Sequence, residues 1–322
     1  MFGNQKYKRN GLLLFVIFTI GILAISSSSI LIRFSQSNAH SIVIAAYRML
    51  VASIILLPYV LFKNSGEFRS IDRHDLVRFL IAGIFLALHF ASWISSLEYT
   101  SIASSVVLVT TTPLWVAIFS PILLKEKNNP KIRIGISIAI IGSIIVSNSQ
   151  SCRINSGFVI NCEGLGDLLS GRNFLGNFLA LAGAWMIAGY IIVGRRLRNK
   201  YSLTFYAFCV YTISAILLVI WATLSGFPFI GFSNTTYMWM ILLGIFPQLI
   251  GHSTFNWALG YLPASFVSVA FMAEPIGTII LAFLLLNEAP QIGEICGGLL
   301  ILFGIFLVSL TNYNTINGKN NL

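Results

Sequence analysis

The sequence predicts an all-α membrane protein in which ten transmembrane helices form two inverted five-helix repeats around a central cavity. Three observations support this fold class. Hydrophobic residues make up 57% of the 322 residues and charged residues only 9%, whereas a typical soluble domain is about 25% charged. The apolar residues also fall into ten runs close to the length of a bilayer span. Finally, the second half of the chain repeats features of the first at a fixed offset.

The apolar runs set the predicted boundaries, because a spanning helix needs about 20 mainly apolar residues. They occupy approximately residues 11–32, 39–62, 77–97, 102–124, 132–148, 174–194, 203–224, 237–260, 264–286 and 292–311. The chain therefore divides into an N-terminus at 1–10, a first five-helix repeat at 11–148, an external loop at 149–172, a second repeat at 173–311 and a C-terminus at 312–322. No stretch remains for a sizeable soluble domain.

The positive charges predict the orientation. If the N-terminus is cytoplasmic, sixteen of the twenty Lys and Arg residues fall on the cytoplasmic side, Arg33, Arg153 and Arg172 fall outside, and Arg48 lies inside a helix. This distribution follows the positive-inside rule. The net charge of +10 therefore predicts a multi-pass protein of the cell membrane, surrounded by the lipid bilayer, with both termini in the cytoplasm. It gives little support to nucleic-acid binding.

An internal repeat relates the two halves at an offset of 162 residues. The matched pairs are Arg33 with Arg195, Leu97 with Leu259, Tyr99 with Tyr261, Pro113 with Pro275, Glu126 with Glu288, Gly135 with Gly297, and Gly142 with Gly304. His89 and His252 miss this register by one residue. Because five spans is an odd number, the second half enters the membrane from the opposite side, which is the inverted plan of many secondary carriers.

Three stretches also carry a family resemblance. They are LHFASWISSLEYTSIASSVVLVTTTPLWVAIFSPILLKE at 88–126, GRRLR at 194–198, and AEPIGTIILAFLLLNE at 273–288 with the GGLLILFGIFLV that follows it. Through these stretches the chain resembles the EamA-type branch of the drug/metabolite transporter superfamily, and the resemblance extends over about 12–148 and 174–310. The resemblance implies a ten-helix bundle whose central cavity carries small metabolites, often amino acids or related organic solutes. The Cys-containing loop is longer than is usual in such proteins.

Two charged residues are predicted well inside helices, namely Arg48 and Glu274. A charge near the bilayer centre costs about 2.5–3.5 kcal/mol on insertion scales, so it normally faces the bundle interior or water. Two interpretations stay open for each residue: a structural polar contact within the bundle, or a place in the lining of a substrate path. A direct pair between them does not follow from the sequence.

Two prolines at matched positions predict helix breaks. In a helix interior, Pro113 removes the hydrogen bond to the Val109 carbonyl, and Pro275 removes the bond to the Phe271 carbonyl. At membrane depth, such backbone is tolerated where protein or a water-filled cavity receives it. Polar spots at Thr110–Thr112 and at Glu274 are therefore expected across the pseudo-two-fold axis. The alternative is that both prolines only kink their helices.

Polar and aromatic side chains around these breaks complete the predicted site. His89 and Trp93, and likewise His252 and Asn256, are four residues apart and so share a helix face. The candidate substrate-binding residues are Arg48, His89, Trp93, Thr112, His252, Asn256, Trp257 and Glu274. For the tryptophans the alternative is packing or a place in an interfacial belt. An imidazole beside an aromatic or amide group suits an organic solute, whereas zinc needs about four ligands, so neither a metal nor a cofactor is predicted.

Other residues favour structural roles. Cys152 and Cys162 lie in the external loop, where a disulfide is permitted and would contribute about 3 kcal/mol to local order; two free thiols are the alternative. Stripes of small residues predict close helix packing. They are Gly135, Ala139, Ser143 and Ser147, and Gly176, Ala180, Ala184 and Ala188. Glu126 and Glu288 are predicted to be solvated helix ends.

These patterns predict a secondary transporter that moves small organic solutes by alternating access. Arg48 could meet a substrate carboxylate and Glu274 an amine, which favours amino acids or similar zwitterions. Protons would be the coupling ion if Glu274 titrates during the cycle, and facilitated diffusion is expected if it stays ionised. The alternative is a non-transporting receptor or scaffold, which needs no inverted repeat.

An enzyme is not predicted. Gly164–Asp167 reads GxGD, as in intramembrane aspartyl proteases, but those enzymes need two close carboxylates that share a proton. Here Asp167 falls in the external loop, and Asp72 and Asp75 fall in a cytoplasmic one. The sequence contains no GxxxxGK[ST] motif, so direct use of ATP by this chain is not expected.

Overall fold

The computed structural model describes residues 11–124, 130–149, 152–154, 160–162, 171–260, 267 and 271–318. Seven helical segments in these ranges are long and apolar enough to cross a membrane, judged by length and composition, and three further apolar helices are shorter. The long segments are Val16–Gln36, Ser41–Lys63, Arg73–Ser96, Ile102–Phe119, Arg172–Arg198, Leu203–Leu224 and Asn234–Leu259. The shorter ones are Ile134–Val146, Glu274–Leu286 and Ile292–Gly304. Because residues 125–129 and most of 261–270 lie outside the described ranges, the count of ten spans stays a prediction.

The described part of the first half contains eight helices. They are α1 (Gly11–Ser26), α2 (Ser28–Gln36), α3 (Ser41–Lys63), α4 (Ser65–Phe68), α5 (Arg73–Ser96), α6 (Ile102–Val109), α7 (Thr112–Leu124) and α8 (Pro130–Ser149). The first predicted span is thus divided at Ser27 and the fourth at Thr110 and Thr111. Side-chain caps fix two helix starts: Asp72 accepts the Asp75 N–H at 2.8 Å, and Ser101 accepts the Ser104 N–H at 3.0 Å. Such caps satisfy backbone donors that the first helical turn leaves free.

Between the halves lies a short antiparallel strand pair, β1 (Cys152–Ile154) and β2 (Ile160–Cys162). The register places Cys152 opposite Cys162 and Ile154 opposite Ile160. The pair forms part of the predicted external loop, and its backbone brings the two cysteine positions together.

Six α-helices and two segments of different winding have both ends within the described part of the second half. They are α9 (Arg172–Arg198), α10 (Leu203–Leu224), α11 (Asn234–Leu243), a π-helix (Gly244–His252), α12 (Ser253–Leu259), a 3₁₀ turn (Phe271–Ala273), α13 (Glu274–Leu286) and α14 (Ile292–Gly318). From α11 through the π-helix to α12 the chain forms one continuous helical segment. The π-helix contains Pro247, which lacks an N–H for the regular helical ladder. Single π turns within α-helices occur often at functional sites.

Helix pairs that correspond to each other in the internal repeat pack in the same way, with the first-half and second-half members exchanged. Helix α5 packs along α9, and α1 packs along the π-helix; α3 pairs with α10, and α8 pairs with α14. In the last pair a Cβ on Gly142 would lie 2.6 Å from the Gly297 carbonyl oxygen, and a Cβ on Gly304 would lie 2.5 Å from that of Gly135. The close packing predicted for the first small-residue stripe is confirmed at Gly135 and at the fully buried Ala139. In the second stripe, a Cβ on Gly176 would lie 2.8 Å from the Thr100 Cβ, and Ala180, Ala184 and Ala188 are fully buried.

Candidate functional site

A small buried cavity lies between the two halves and brings together five of the eight predicted site residues. Its lining consists of His89, Trp93, Val109, Thr110, Thr112, Ile187, His252, Phe271 and Glu274. Its volume is about 30 Å³, which is room for roughly two water molecules. In the described conformation the cavity is therefore too small for an organic solute, which can enter only if the surrounding helices move apart.

Arg48 adjoins this cavity from α3 and is fully buried. Its Nε donates to Oε1 of Gln248 at 2.7 Å, and its Nη1 donates to Oγ of Ser28 at 2.8 Å. The guanidinium carbon lies 4.1 Å from the Phe90 ring centroid and 5.9 Å from that of Trp93, so aromatic faces stabilise the buried cation. Arg48 and Glu274 form no ion pair within 4.0 Å among the described contacts.

The two buried histidines meet although they lie in different halves. The ring centroids of His89 and His252 are 6.4 Å apart. Nδ1 of His89 lies 2.9 Å from the Gly183 carbonyl oxygen; because a carbonyl only accepts, this nitrogen carries the proton. The His89 ring also stacks on Trp93 at 5.9 Å and 11°. The cavity therefore has an aromatic wall with imidazole groups from both halves.

Both matched prolines lie in the first turn of a new helix rather than in a helix interior. Helix α7 begins at Thr112 and α13 begins at Glu274, so Pro113 and Pro275 each occupy the second helical position, where a missing N–H costs little. The Thr112 hydroxyl donates to the Val109 carbonyl at 2.8 Å, which satisfies the acceptor left free by the break. The Glu274 carboxylate lies at the positive end of α13, where a negative charge is favoured.

A serine run that the sequence reasoning missed connects Arg48 to α13. The Ser26 hydroxyl donates to the Glu274 carbonyl at 3.2 Å, and the Thr278 hydroxyl donates to the Ser26 carbonyl at 3.0 Å. Ser28 accepts from Arg48, as described above. The sequence feature that could have revealed this run is four consecutive serines, Ser26 to Ser29, within an apolar segment. The sequence reasoning also missed Gln248, which could have been noticed as a polar residue next to Pro247 inside an apolar segment.

Asn256 and Trp257 lie away from the cavity. Asn256 accepts from the Tyr190 hydroxyl at 2.7 Å and donates to the Tyr211 hydroxyl at 3.1 Å, so both ends of its amide are occupied by tyrosines. Trp257 lines a separate cavity of about 340 Å³ together with Ile17, Leu203, Leu249, Ile250, Ser253 and Thr254. A spacing of four residues predicts a shared face only in an α-helix, and the winding changes from π to α directly after His252.

Charged residues join the halves at the predicted outer end. Arg33 and Glu288 form an ion pair at 3.8 Å, each with a side chain 29% exposed. Glu288 also accepts the Ile102 N–H at 2.6 Å, and Arg33 donates to the Thr100 carbonyl at 2.9 Å. Glu288 lies just after the end of α13 and is partly exposed, in line with the prediction of a solvated helix end, but it also binds the start of α6. Glu126 lies outside the described residues. The matched Arg195 donates to the Leu259 carbonyl in the second half.

A second set of contacts joins the halves at the predicted inner end. Lys200 contacts Asp75 at 2.5 Å and Asp72 at 3.0 Å, and Glu67 accepts the Ser202 N–H at 2.8 Å. The Asp75 N–H and the Lys200 ammonium donate to Asp72 and lower the pKa of its carboxyl to about 2. Hydrogen bonds to Asp75 and Asp72 raise the pKa of Lys200.

Among the described residues, no group of three or more His, Cys, Asp or Glu side chains is placed to hold a metal ion. The polar side chains that line the cavity are one carboxylate, two imidazoles, one indole and the hydroxyls of Thr110 and Thr112. The Arg48 guanidinium is not part of the lining but lies 5.9 Å from the Trp93 ring centroid. Such a set can hydrogen-bond and balance the charge of a small organic solute.

Many apolar helices around a closed polar cavity define a multi-pass membrane protein of the transporter class. The model of the EamA-like transporter family matches residues 11–148 and 174–310. The chain belongs to this family.

Relatives across most of the chain carry transporter names without a named solute. An "Uncharacterized transporter" of Archaeoglobus fulgidus is 24% identical and covers 91% of this chain and 96% of its own. The "Uncharacterized transporter YyaM" of Bacillus subtilis is 26% identical and covers 84% and 86% respectively. A solved crystal structure that is 18% identical aligns with a TM-score of 0.64 over 93% of this chain and 97% of the other. At that identity the structural likeness supports the fold alone.

Proposed function

We propose that this protein is a secondary transporter that moves small organic solutes across the cell membrane by alternating access. The observation that carries the proposal is the closed polar cavity to which both halves contribute. Keeping Glu274 and Arg48 within the bundle is costly in a protein that only has to pack. A non-transporting receptor or scaffold would not need this cavity or the repeat that surrounds it.

The proposed architecture is ten spans in two inverted repeats, at 11–148 and 173–311, with both termini cytoplasmic and 149–172 outside. The exchanged glycine contacts between α8 and α14 support it, because a two-fold axis between two helices produces such an exchange. The partner exchange of α5 with α9 and of α1 with the π-helix supports it as well. Inverted repeats of this kind allow one half to rock against the other around a fixed site.

The two halves contact each other at both ends of the bundle, which supports a state of this cycle in which the site is closed to both sides of the membrane. At the outer end Glu288 of the second half binds Arg33 and the Ile102 N–H of the first. At the inner end Lys200 of the second half binds Asp72 and Asp75 of the first. Alternating access then consists of releasing one set while the other holds.

The proposed substrates carry both an acidic and a basic group, as amino acids and related zwitterions do. Arg48 and Glu274 supply opposite charges at one site without pairing with each other, so each can balance a group of the solute. If the Glu274 carboxyl takes up and releases a proton during the cycle, transport is proton-coupled. If Glu274 stays ionised, the protein works by facilitated diffusion.

The experiment begins with metabolite profiles of cells with and without the protein, comparing cell contents with medium. Solutes that differ are then tested for uptake into proteoliposomes with and without a pH gradient, using wild type, Glu274→Gln and Glu98→Gln. We expect the gradient to accelerate uptake by the wild type and by Glu98→Gln, which changes an acid outside the cavity that binds Ser41 within its own half, but not by Glu274→Gln. An equal response in all three proteins removes Glu274 from coupling. Absence of flux for every solute favours the receptor or scaffold.

A further inference from the structure

Three buried N–H donors around Arg48 have no hydrogen-bond partner among the residues that the structure describes. They are Nη2 of Arg48, Nε2 of Gln248 and Nε1 of Trp93. Arg48 and Gln248 are fully buried and Trp93 is 3% exposed, so bulk water does not satisfy these groups. Each unsatisfied buried donor costs about 1–3 kcal/mol, and native proteins retain few of them without a reason.

The three donors belong to one cluster, which adjoins the cavity through Trp93. Arg48 binds Gln248 directly at 2.7 Å, and its guanidinium carbon lies 5.9 Å from the Trp93 ring centroid. Trp93 in turn lines the cavity together with His89 and Glu274. A solute held in the cavity would therefore meet the cluster at one end.

The orientation of the Gln248 amide follows from its partner. The Arg48 Nε–H is a donor, so the amide must offer its oxygen, and the opposite orientation would set two donors against each other. The amide nitrogen is then free to donate elsewhere. The cluster presents donors from three side chains and a buried positive charge that lacks a carboxylate partner within 4.0 Å among the described residues.

A ligand that matches this arrangement brings only acceptors and a negative charge. A carboxylate meets both requirements with two oxygens and no hydrogen to donate, and a charge-assisted bond to arginine is stronger than a neutral one. An amide, ester or alcohol in the same position lacks the charge that would balance the buried Arg48.

We infer that Arg48, Gln248 and Trp93 form the subsite for the solute's carboxylate, and that Gln248 is a specificity-determining residue within it. The inference rests on the proposed transport function and deepens it by assigning one end of the substrate. Gln248 acts in two ways: its oxygen holds the Arg48 side chain in place, and its nitrogen donates to the ligand. The rest of the solute then extends along the aromatic wall toward Glu274.

Ligand-induced thermal stabilisation of the purified full-length chain in detergent tests the inference without relying on flux. The probes are the twenty L-amino acids, the carboxamide of each one that binds, sodium chloride and inorganic phosphate. We expect the free acids to bind at least about tenfold more tightly than their carboxamides, since the amide loses a charge-assisted contact. We expect chloride and phosphate at equal ionic strength neither to stabilise the protein nor to compete.

Variants assign the effect to the named residues. Gln248→Glu places a carboxylate on Arg48 from within the chain, so we expect it to abolish binding of the acids while the unliganded protein keeps its stability. Gln291→Glu makes the same chemical change at an exposed outer position, and we expect wild-type affinity. Trp93→Phe removes one donor and keeps most of the ring, so we expect about fivefold to tenfold weaker binding of the acids.

Each adverse result has a distinct meaning. Equal affinity for an acid and its carboxamide, or no binding of any acid, overturns the carboxylate subsite. Stabilisation by chloride or phosphate alone overturns it in favour of an inorganic anion site. Unchanged affinity in both Gln248→Glu and Trp93→Phe removes these residues from recognition. If acids bind as expected but no bound acid crosses the membrane of proteoliposomes, the subsite stands and the transport function fails.

Discussion

Gly142 and Gly297 each face the other's backbone carbonyl where the two halves of the chain meet. A Cβ on Gly142 would lie 2.6 Å from the Gly297 oxygen, and a Cβ on Gly297 would lie 2.7 Å from the Gly142 oxygen. Gly304 makes the corresponding approach to Gly135. Because Gly135 matches Gly297 and Gly142 matches Gly304 in the internal repeat, α8 and α14 exchange equivalent contacts.

We predict that Gly142→Leu destabilises the protein by about 3 kcal/mol, the upper end of the usual cost of overpacking. The side chain would meet backbone oxygen and nitrogen, which cannot move aside without separating α8 from α14, and overpacking of a tight contact typically costs about 1–3 kcal/mol. Thermal unfolding in detergent measures the effect. Gly66→Leu is the control, because a Cβ at Gly66 has no neighbour within 4 Å. Equal losses of stability in the two variants would mean that the contact between α8 and α14 is not tight.

The sequence predicts the helical fold and the repeat because the signal of each is spread over many residues. Runs of apolar residues mark spans, and matched glycines and prolines mark the offset. The apolar runs do not show the breaks at Ser27 and Thr111 or the π-helix, because hydropathy does not depend on winding. The local signals are Pro113 beside the break at Thr111, the four serines around Ser27, and Pro247 in the π-helix, and the sequence reasoning used only Pro113 among them.

The site was predicted in part, for reasons that differ by residue. His89 and Glu274 reach one cavity because polar groups in apolar helices turn inward. Asn256 and Trp257 lie elsewhere because the winding before them departs from the α-helix on which the spacing argument relied. Gln248 carries no charge, so its sequence signal was limited to an amide beside Pro247 in an apolar segment, although that amide holds the buried arginine.

We predict that Glu288→Gln opens the outer end of the bundle more often without unfolding the protein. The Arg33 to Glu288 pair is partly exposed, and such pairs contribute about 0–1 kcal/mol, so the fold should persist while the barrier to opening falls. The measurement uses Thr110→Cys, a buried position in the cavity, in a background without the four native cysteines. A membrane-impermeant maleimide added from outside should label Glu288→Gln several-fold faster than its parent.

The control for this experiment is Glu67→Gln, which weakens a contact at the inner end. It should not accelerate labelling from outside. Equal acceleration by both variants would show general loosening of the bundle rather than a contact that holds the outer end closed.

We predict that part of the protein's stability at the inner end depends on pH through Asp72. Its folded pKa of about 2 lies below the ordinary value of 3.8, so its contribution is complete above about pH 4 and is lost as pH falls toward 2. Asp72→Asn keeps a good helix cap but removes the charge that contacts Lys200. The midpoint temperature of thermal unfolding, measured between pH 2.5 and 6, should therefore fall less steeply at low pH for Asp72→Asn than for wild type. Parallel curves would exclude Asp72 as a source of the acid response.

We predict that Cys152 and Cys162 form a disulfide. The register of β1 and β2 sets the two positions directly opposite each other, and opposed residues in an antiparallel pair have Cβ atoms about 4.5–5.5 Å apart, close to the spacing that a disulfide needs. Cys209 and Cys296 are free thiols and serve as internal standards. Alkylation of the denatured protein without reductant should thus add two labels per chain by mass spectrometry, and three labels to Cys152→Ser.

The same measurement bears on orientation when it is made on protein taken directly from cells with free thiols blocked at lysis. Disulfides persist in oxidising compartments and are rare in the cytosol. Two labels per chain would agree with an external loop at 149–172 and hence with cytoplasmic termini. Four labels from cells, but two after exposure of the purified protein to oxidant, would mean that the cysteines are close enough to bond while the loop faces the reducing side, and the predicted topology would then be inverted.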